Sequence, residues 1–299
     1  MYNLCCIANE LKPRHRIMSM TWRRYTEVDD AFDILAERWL NNVETTYHII
    51  EHCFKNGWGY RVSSSLFPVL THPEFTYKVQ DAPNWEQINT TFDKIRSANQ
   101  NWGVRLSTHP DQFNVLASDN QQAVEKSIKE LNIHGWLMDQ LGCERSYQNP
   151  INIHINCSKG EHSQIAVKFM ENLQKCDESV TSRLVIENED KGIWNTSSLL
   201  EHFEPYKIPI TFDNLHNKCN PSDFLQGNEL SEEEIMERCA KTWQGIKPIF
   251  HYSESDVNSK NPRSHASLPT NRPMEFNCDW DIELKDKELA IRKLVPSHV

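Results

Sequence analysis

The stretch Leu184-Val185-Ile186-Glu187-Asn188-Glu189-Asp190 sets three apolar residues directly before a cluster of carboxylates. So short and apolar a run reads as a strand buried in a parallel sheet, and the polar cluster as the loop leaving its C-terminal end. The same arrangement recurs on both sides of it. Ile151-Asn152-Ile153 runs into His154, Ile210-Thr211-Phe212 into Asp213 with His216 three residues on, and Ile249-Phe250 into His251. Upstream, Val104-Arg105-Leu106-Ser107 runs into Thr108-His109-Pro110-Asp111-Gln112-Phe113. Five successive strands therefore end on His, Asp or Glu.

Strands are expected at residues 4–8, 59–62, 104–107, 151–155, 184–187, 208–212 and 248–252. Helices are expected between them at 29–55, 85–99, 121–141, 163–176, 197–203 and 232–243, with a last one at 281–294 that places Glu283 at its start. In 121–141 the apolar residues Val124, Ile128, Leu131 and Met138 share one face. Strand-then-helix alternation is the pattern of an α/β fold with parallel strands. The expected architecture is a TIM-type (β/α) barrel of seven or eight strands, formed as a single domain over residues 1–299. An open Rossmann sheet is disfavoured because neither GxGxxG nor GxxxxGK[ST] occurs, and glycine numbers only nine. Residues 253–279 form one long irregular stretch, a length that is usually functional.

Acidic residues outnumber basic ones 42 to 32, for a formal net charge of −10. This argues against a protein that coats nucleic acid through a basic surface. No apolar run is long enough to span a membrane, and residues 1–16 lack the apolar region of a signal peptide. Nine cysteines without a CxxC pair suggest reduced thiols and an intracellular, cytoplasmic protein.

In a parallel barrel all C-terminal strand ends share one face, so these side chains would converge there. Such a set of imidazoles and carboxylates exceeds the needs of acid–base work and suits two or three divalent ions such as Zn²⁺ or Mn²⁺, with a glutamate able to bridge them. A lone histidine at a strand end would more often be a hydrogen-bonded structural residue; a run of five strand ends is what favours metal. His48, His52, His134, His162 and His202, which lie in helical stretches or loops, are read as surface residues.

Several motifs, in order along nearly the whole chain, resemble the UV damage endonucleases. They are Arg61-Val62-Ser63-Ser64-Ser65-Leu66-Phe67-Pro68 followed by His72; His109-Pro110-Asp111-Gln112-Phe113; and Glu187-Asn188-Glu189-Asp190. Phe212-Asp213 with His216, His251-Tyr252-Ser253-Glu254, and Glu283-Leu284-Lys285-Asp286-Lys287-Glu288 complete them. The resemblance implies a TIM-type barrel related to endonuclease IV. It also implies nicking of duplex DNA immediately 5′ to cyclobutane dimers and (6-4) photoproducts. By motif position the metal ligands would be His109, His154, Glu187, Asp213, His216, His251, His265 and Glu283, with Glu187 bridging. Mn²⁺ is the first expectation, with Zn²⁺ and Mg²⁺ as alternatives. His72 takes the place of another active-site histidine, and Asn9 is a further polar candidate. Gln112 and Phe113 correspond to a pair that probes the duplex at the lesion: a ring can replace lost stacking while an amide bonds to exposed bases. The partner would be UV-damaged double-stranded DNA and the protein a monomer.

The chain departs from the family pattern at four places. Ile249 stands where a carboxylatable lysine is common, and Lys247 lies about 13 Å farther down the strand. Asn217 replaces a second histidine, Asn156 a glycine, and Asn3-Leu4 align with a Gly-Tyr pair. Two competing readings are a metal-dependent sugar isomerase or epimerase on the same barrel, which would use fewer histidines, and an inactive DNA-binding relative.

Overall fold

A strand shows alternate residues to opposite sides, and this sequence sorts them sharply. Leu4, Tyr60, Leu106, Ile153, Ile186, Ile210, Phe250 and Trp280 belong to the main apolar core. The alternate positions Asn3, Arg61, Ser107, Asn152, Glu187, Thr211, His251 and Asp281 are buried yet polar. The first set packs outward on helices and the second lines the inside of a barrel. The strands were expected to be apolar on both faces; the inner face is polar instead, apart from a small separate cluster that includes Val185 and Ile249.

The computed structural model describes residues 1–111, 113–223 and 230–295. Among them are eight parallel strands: β1 (Tyr2–Cys5), β2 (Gly59–Val62), β3 (Leu106–Thr108), β4 (Ile151–Ile153), β5 (Leu184–Glu187), β6 (Ile210–Thr211), β7 (Ile249–Tyr252) and β8 (Asp279–Ile282). Their order is β6-β5-β4-β3-β2-β1-β8-β7. A bridge between Asp213 and His251, with the His251 amide donating to the Phe212 carbonyl at 2.9 Å, links β6 to β7 and closes the barrel. The helices are α1 (Trp22–Glu27), α2 (Ala31–Asn56), α3 (Trp85–Trp102), α4 (Gln121–Gln140), α5 (His162–Leu173), α6 (Glu178–Thr181), α7 (Thr196–Phe203), α8 (Asn214–Cys219), α9 (Glu232–Thr242) and α10 (Glu288–Leu294). In α2 the buried Leu35, Trp39, Val43, Thr46, Ile50 and Cys53 recur every three or four residues, which is the stripe a helix needs to cover a sheet. None of the described helices is long and apolar enough to cross a membrane, and all nine cysteines are free.

Three expectations need correction. The last helix does not begin at Asp281: Asp279-Trp280-Asp281-Ile282 alternates polar and apolar residues and forms β8, and the helix starts only at Glu288. Glu283 therefore leaves a strand end like the other candidate ligands. The first strand ends at Cys5, because Cys6 takes φ 68° and turns out of the ladder. His134 is not on the surface; it is 4% exposed, with Nδ1 3.1 Å from the Thr108 hydroxyl.

The end of the barrel opposite the strand C-termini is closed by charge pairs. Asp279 accepts from Arg105 Nη1 at 2.9 Å and from Lys247 Nζ at 2.7 Å. Lys247 is thus committed far from His251, as its position along the strand implied. On β2, a side chain at Gly59 would drive its Cβ into the amide oxygen of Asn3, so only glycine lets Asn3 fit inside.

Arg183, just before β5, is fully buried. It donates to the carbonyls of Glu144, Ser179 and Cys143 at 2.7–2.8 Å and to the Asp139 carboxylate at 2.8 Å. Methionine fills similar space but takes the donor from three carbonyls, while Asp139 keeps only Arg145. Arg183→Met is expected to cost about 2–3 kcal/mol in urea unfolding, because buried carbonyls lose their donor. A loss below about 1 kcal/mol would show that the cluster contributes little.

Candidate metal centre

Glu187 ends β5 at the centre of the mouth and is 1% exposed. Its Oε2 lies 3.1 Å from His109 Nε2, 3.9 Å from His154 Nε2 and 3.2 Å from His251 Nδ1; its Oε1 lies 3.2 Å from His216 Nδ1. Asn152, on the inward face of β4, donates a short hydrogen bond to Oε2. Four imidazoles from four different elements thus meet one carboxylate.

Asp213 caps α8, accepting from the His216 amide at 2.6 Å. That cap fixes the first turn and so aims His216 at the same pocket as Asp213. Asn188 holds Asp213 through two backbone hydrogen bonds of 2.8 and 3.1 Å. Glu283 Oε1 lies 3.3 Å from His251 Nδ1 and also takes a short bond from Arg61. His265 returns on the long β7–β8 loop, with Nδ1 2.8 Å from the Glu283 carbonyl and 3.8 Å from its Oε2.

Among the described residues three donor groups could each hold an ion: His109, His154 and Glu187; Glu187, Asp213 and His216; Asp213, His251 and Glu283. Glu187 belongs to two of them and Asp213 to two. The fit to metal can be tested on unpaired atoms. His154 Nδ1 and Asp213 Oδ2 are buried without a hydrogen-bond partner among the described residues. Leaving buried polar atoms unpaired is costly unless something else binds them. Mixed imidazole and carboxylate donors suit Mn²⁺ or Zn²⁺, so the residues fit the expected ions.

Burial alone would raise the Glu187 carboxyl, but His251 and His154, with His109 and His216 bonded to it, hold it well below the usual range. Burial would lower His251, yet Glu187 and Glu283 push it up to about 9. His216 is likewise driven well above its usual value against the effect of burial, by Asp213 and Glu187. His154 goes the other way: burial lowers it to about 4, so it stays neutral and ready to ligate. For Asp213, burial raises the carboxyl.

The other candidates lie outside the three donor groups. His72 joins none of the three groups; its ring stacks on Trp22 at 4.1 Å between centroids. Asn9 is exposed, with its amide oxygen accepting from Lys12 Nζ and its backbone amide donating to Glu288. Gln112 lies outside the described residues, whereas Phe113 beside it is 70% exposed. A cavity of about 400 Å³ at the mouth is lined by Cys6, Arg61, His109, Asp111, Phe113 and Glu283. Asn3 and Leu4 do not reach it: Asn3 bonds Asp281 inside the barrel at 2.7 Å and Leu4 packs outward. Asn156 takes the left-handed conformation, φ 54°, which explains why glycine can stand there.

Arg61, Asn152, Asn188 and Asp281 received no role from the sequence. Asn152 and Asp281 each sit two residues before a candidate ligand, on the same strand face, so the two-residue period was the available signal. Asp281 lay hidden because β8 read as helix.

The sequence model of the UV-endonuclease UvdE family matches residues 2–298. The UV DNA damage endonuclease of Nostoc sp. is 31% identical over 296 residues, covering 97% of this chain and 88% of that protein. The crystal structure of SacUVDE superposes with a TM-score of 0.80 at 25% identity, covering 98% of this chain and 96% of that one. Endonuclease IV from Thermus thermophilus, at 12% identity and a TM-score of 0.56 over 98% of this chain and 97% of that one, shares the barrel. With a family match over almost its whole length, the chain belongs to the UV-endonuclease UvdE family.

Proposed function

We propose that this UvdE-family endonuclease, which acts on UV-damaged DNA, nicks the duplex immediately 5′ to cyclobutane dimers and (6-4) photoproducts, using two or three divalent ions, Mn²⁺ foremost. The observation that carries this reading is the sharing of Glu187 and Asp213 among three donor groups that contain seven of the eight expected ligands. His265 would join through Glu283. Bound ions would supply Lewis acidity, acidifying water at neutral pH and neutralising phosphodiester charge.

The protein's own groups orient the reaction. Asn152 fixes the Glu187 carboxylate, and Asn188 fixes Asp213. Arg61 steadies Glu283 and presents its guanidinium to the mouth cavity, where a phosphate oxygen could accept from it. Phe113 is proposed to enter the stack at the lesion together with Gln112, and a duplex already distorted there is cheaper to open.

Metal binding must displace protons from His251 and His216, because both are raised in the metal-free protein. Apparent Mn²⁺ affinity should therefore rise with pH from about 6 to about 9, by up to about tenfold per pH unit for each proton displaced. Competition titrations at fixed ionic strength would measure this. Affinity that falls or stays flat across the window would contradict the assigned ligands.

Incubation with Mn²⁺ and either UV-irradiated plasmid or a panel of sugars separates this reading from an isomerase. Nicking of irradiated plasmid alone is expected, and sugar turnover without nicking would overturn it.

A further inference from the structure

The loop that carries Phe113 is held from below. Asn114 is 1% exposed, and its Nδ2 donates to the Asp111 carbonyl at 2.7 Å and to Glu130 Oε1 at 3.2 Å. Glu130 lies on α4 and is 8% exposed. One turn earlier on the same helix, Ser127 Oγ accepts from the Val115 amide at 2.9 Å. Across the loop, Asn156 Nδ2 donates to the Asn114 carbonyl at 3.2 Å, and Asn172 Nδ2 to the Leu116 carbonyl at 2.7 Å. Ser64 Oγ donates to Asp111 at 2.9 Å. On the C-terminal side of Phe113, Asn114, Leu116 and Ala117 are buried and the loop is held by these hydrogen bonds, while the ring of Phe113 is 70% exposed.

An apolar ring left in water on an anchored backbone is poorly explained by stability, since no described residue covers it. A wedge must enter a base stack in one orientation, and ordering it beforehand removes that entropic cost from binding. A buried glutamate is itself costly, and burial raises its carboxyl. Here it serves the Phe113 loop, bonding the Asn114 amide that follows Phe113 and the Asp111 backbone that precedes it.

We propose that Glu130, through its bond to Asn114, is a positioning residue that presets the pose of Phe113 for lesion recognition, with Ser127 as a second anchor. Glu130 touches neither the donor groups nor the mouth cavity. It acts on the duplex only through the loop. The inference rests on the reading of Phe113 as a lesion probe.

The test is a double-mutant cycle on a duplex with one defined dimer, with Mn²⁺-loaded protein. Glu130→Ala is expected to raise KM about tenfold with kcat within about threefold, and to change KM less than about twofold when Phe113 is already Ala. Glu130→Gln keeps an acceptor for Asn114 and should restore KM. Ser127→Ala should give the same pattern as Glu130→Ala, more weakly. Equal KM effects of Glu130→Ala with and without Phe113, a fall in kcat at unchanged KM, or a Gln variant as impaired as Ala would each overturn the proposal. Unchanged lesion binding by Phe113→Ala alone would instead remove the probe reading, and this inference with it.

Discussion

Replacing Glu187 by Gln is expected to lower the nicking rate by about 10²–10³-fold or more while the protein stays folded. The substitution is nearly isosteric and keeps an oxygen for Asn152. It removes the one negative charge that His109, His154, His216 and His251 all approach within 4 Å. It also takes a ligand from two donor groups at once, so bound metal should fall below the wild-type content. Activity on UV-irradiated plasmid, metal content and a thermal melt report the three effects separately. A Gln variant that nicks normally would mean that the reaction runs elsewhere.

The second large effect is expected on removing metal. Glu187, Asp213 and Glu283 are part of the acid excess that gives the chain its net charge of −10, and all three belong to the donor groups. Three divalent ions would add about +6 there and invert the local field. Chelated protein should lose all nicking and bind damaged duplex about tenfold or more weakly, because the bare carboxylates repel phosphate. It should also melt at a lower temperature, because ions that bind only the folded state stabilise it by mass action. Adding Mn²⁺ should restore all three properties. Unchanged DNA affinity after chelation would show that the mouth does not depend on metal to accept a phosphate backbone.

The barrel and most of its site could be read from residue order because two periodicities coincide. Short apolar runs mark the strands, and the His, Asp or Glu following each run marks the shared face. That logic located His109, His154, Glu187, Asp213, His216 and His251, which the structure gathers around one carboxylate. It failed for β8, where Asp279 and Asp281 on the inner face broke the apolar run and the Lys- and Glu-rich segment behind it suggested helix. The polar lining of the barrel was hidden for the same reason: Asn3 and Asn152 are single polar residues within apolar runs, and only pairing across the barrel gives them meaning. The stack of His72 on Trp22 was also beyond the sequence, since the two are fifty residues apart and no local pattern joins them.

The most direct test is to map the cut on an end-labelled duplex carrying one cyclobutane dimer, with Mn²⁺ present. A single nick immediately 5′ to the dimer, leaving a 3′-hydroxyl and a 5′-phosphate and absent from the undamaged duplex, is the predicted result. A cut 3′ to the lesion, or an intact strand, would contradict it.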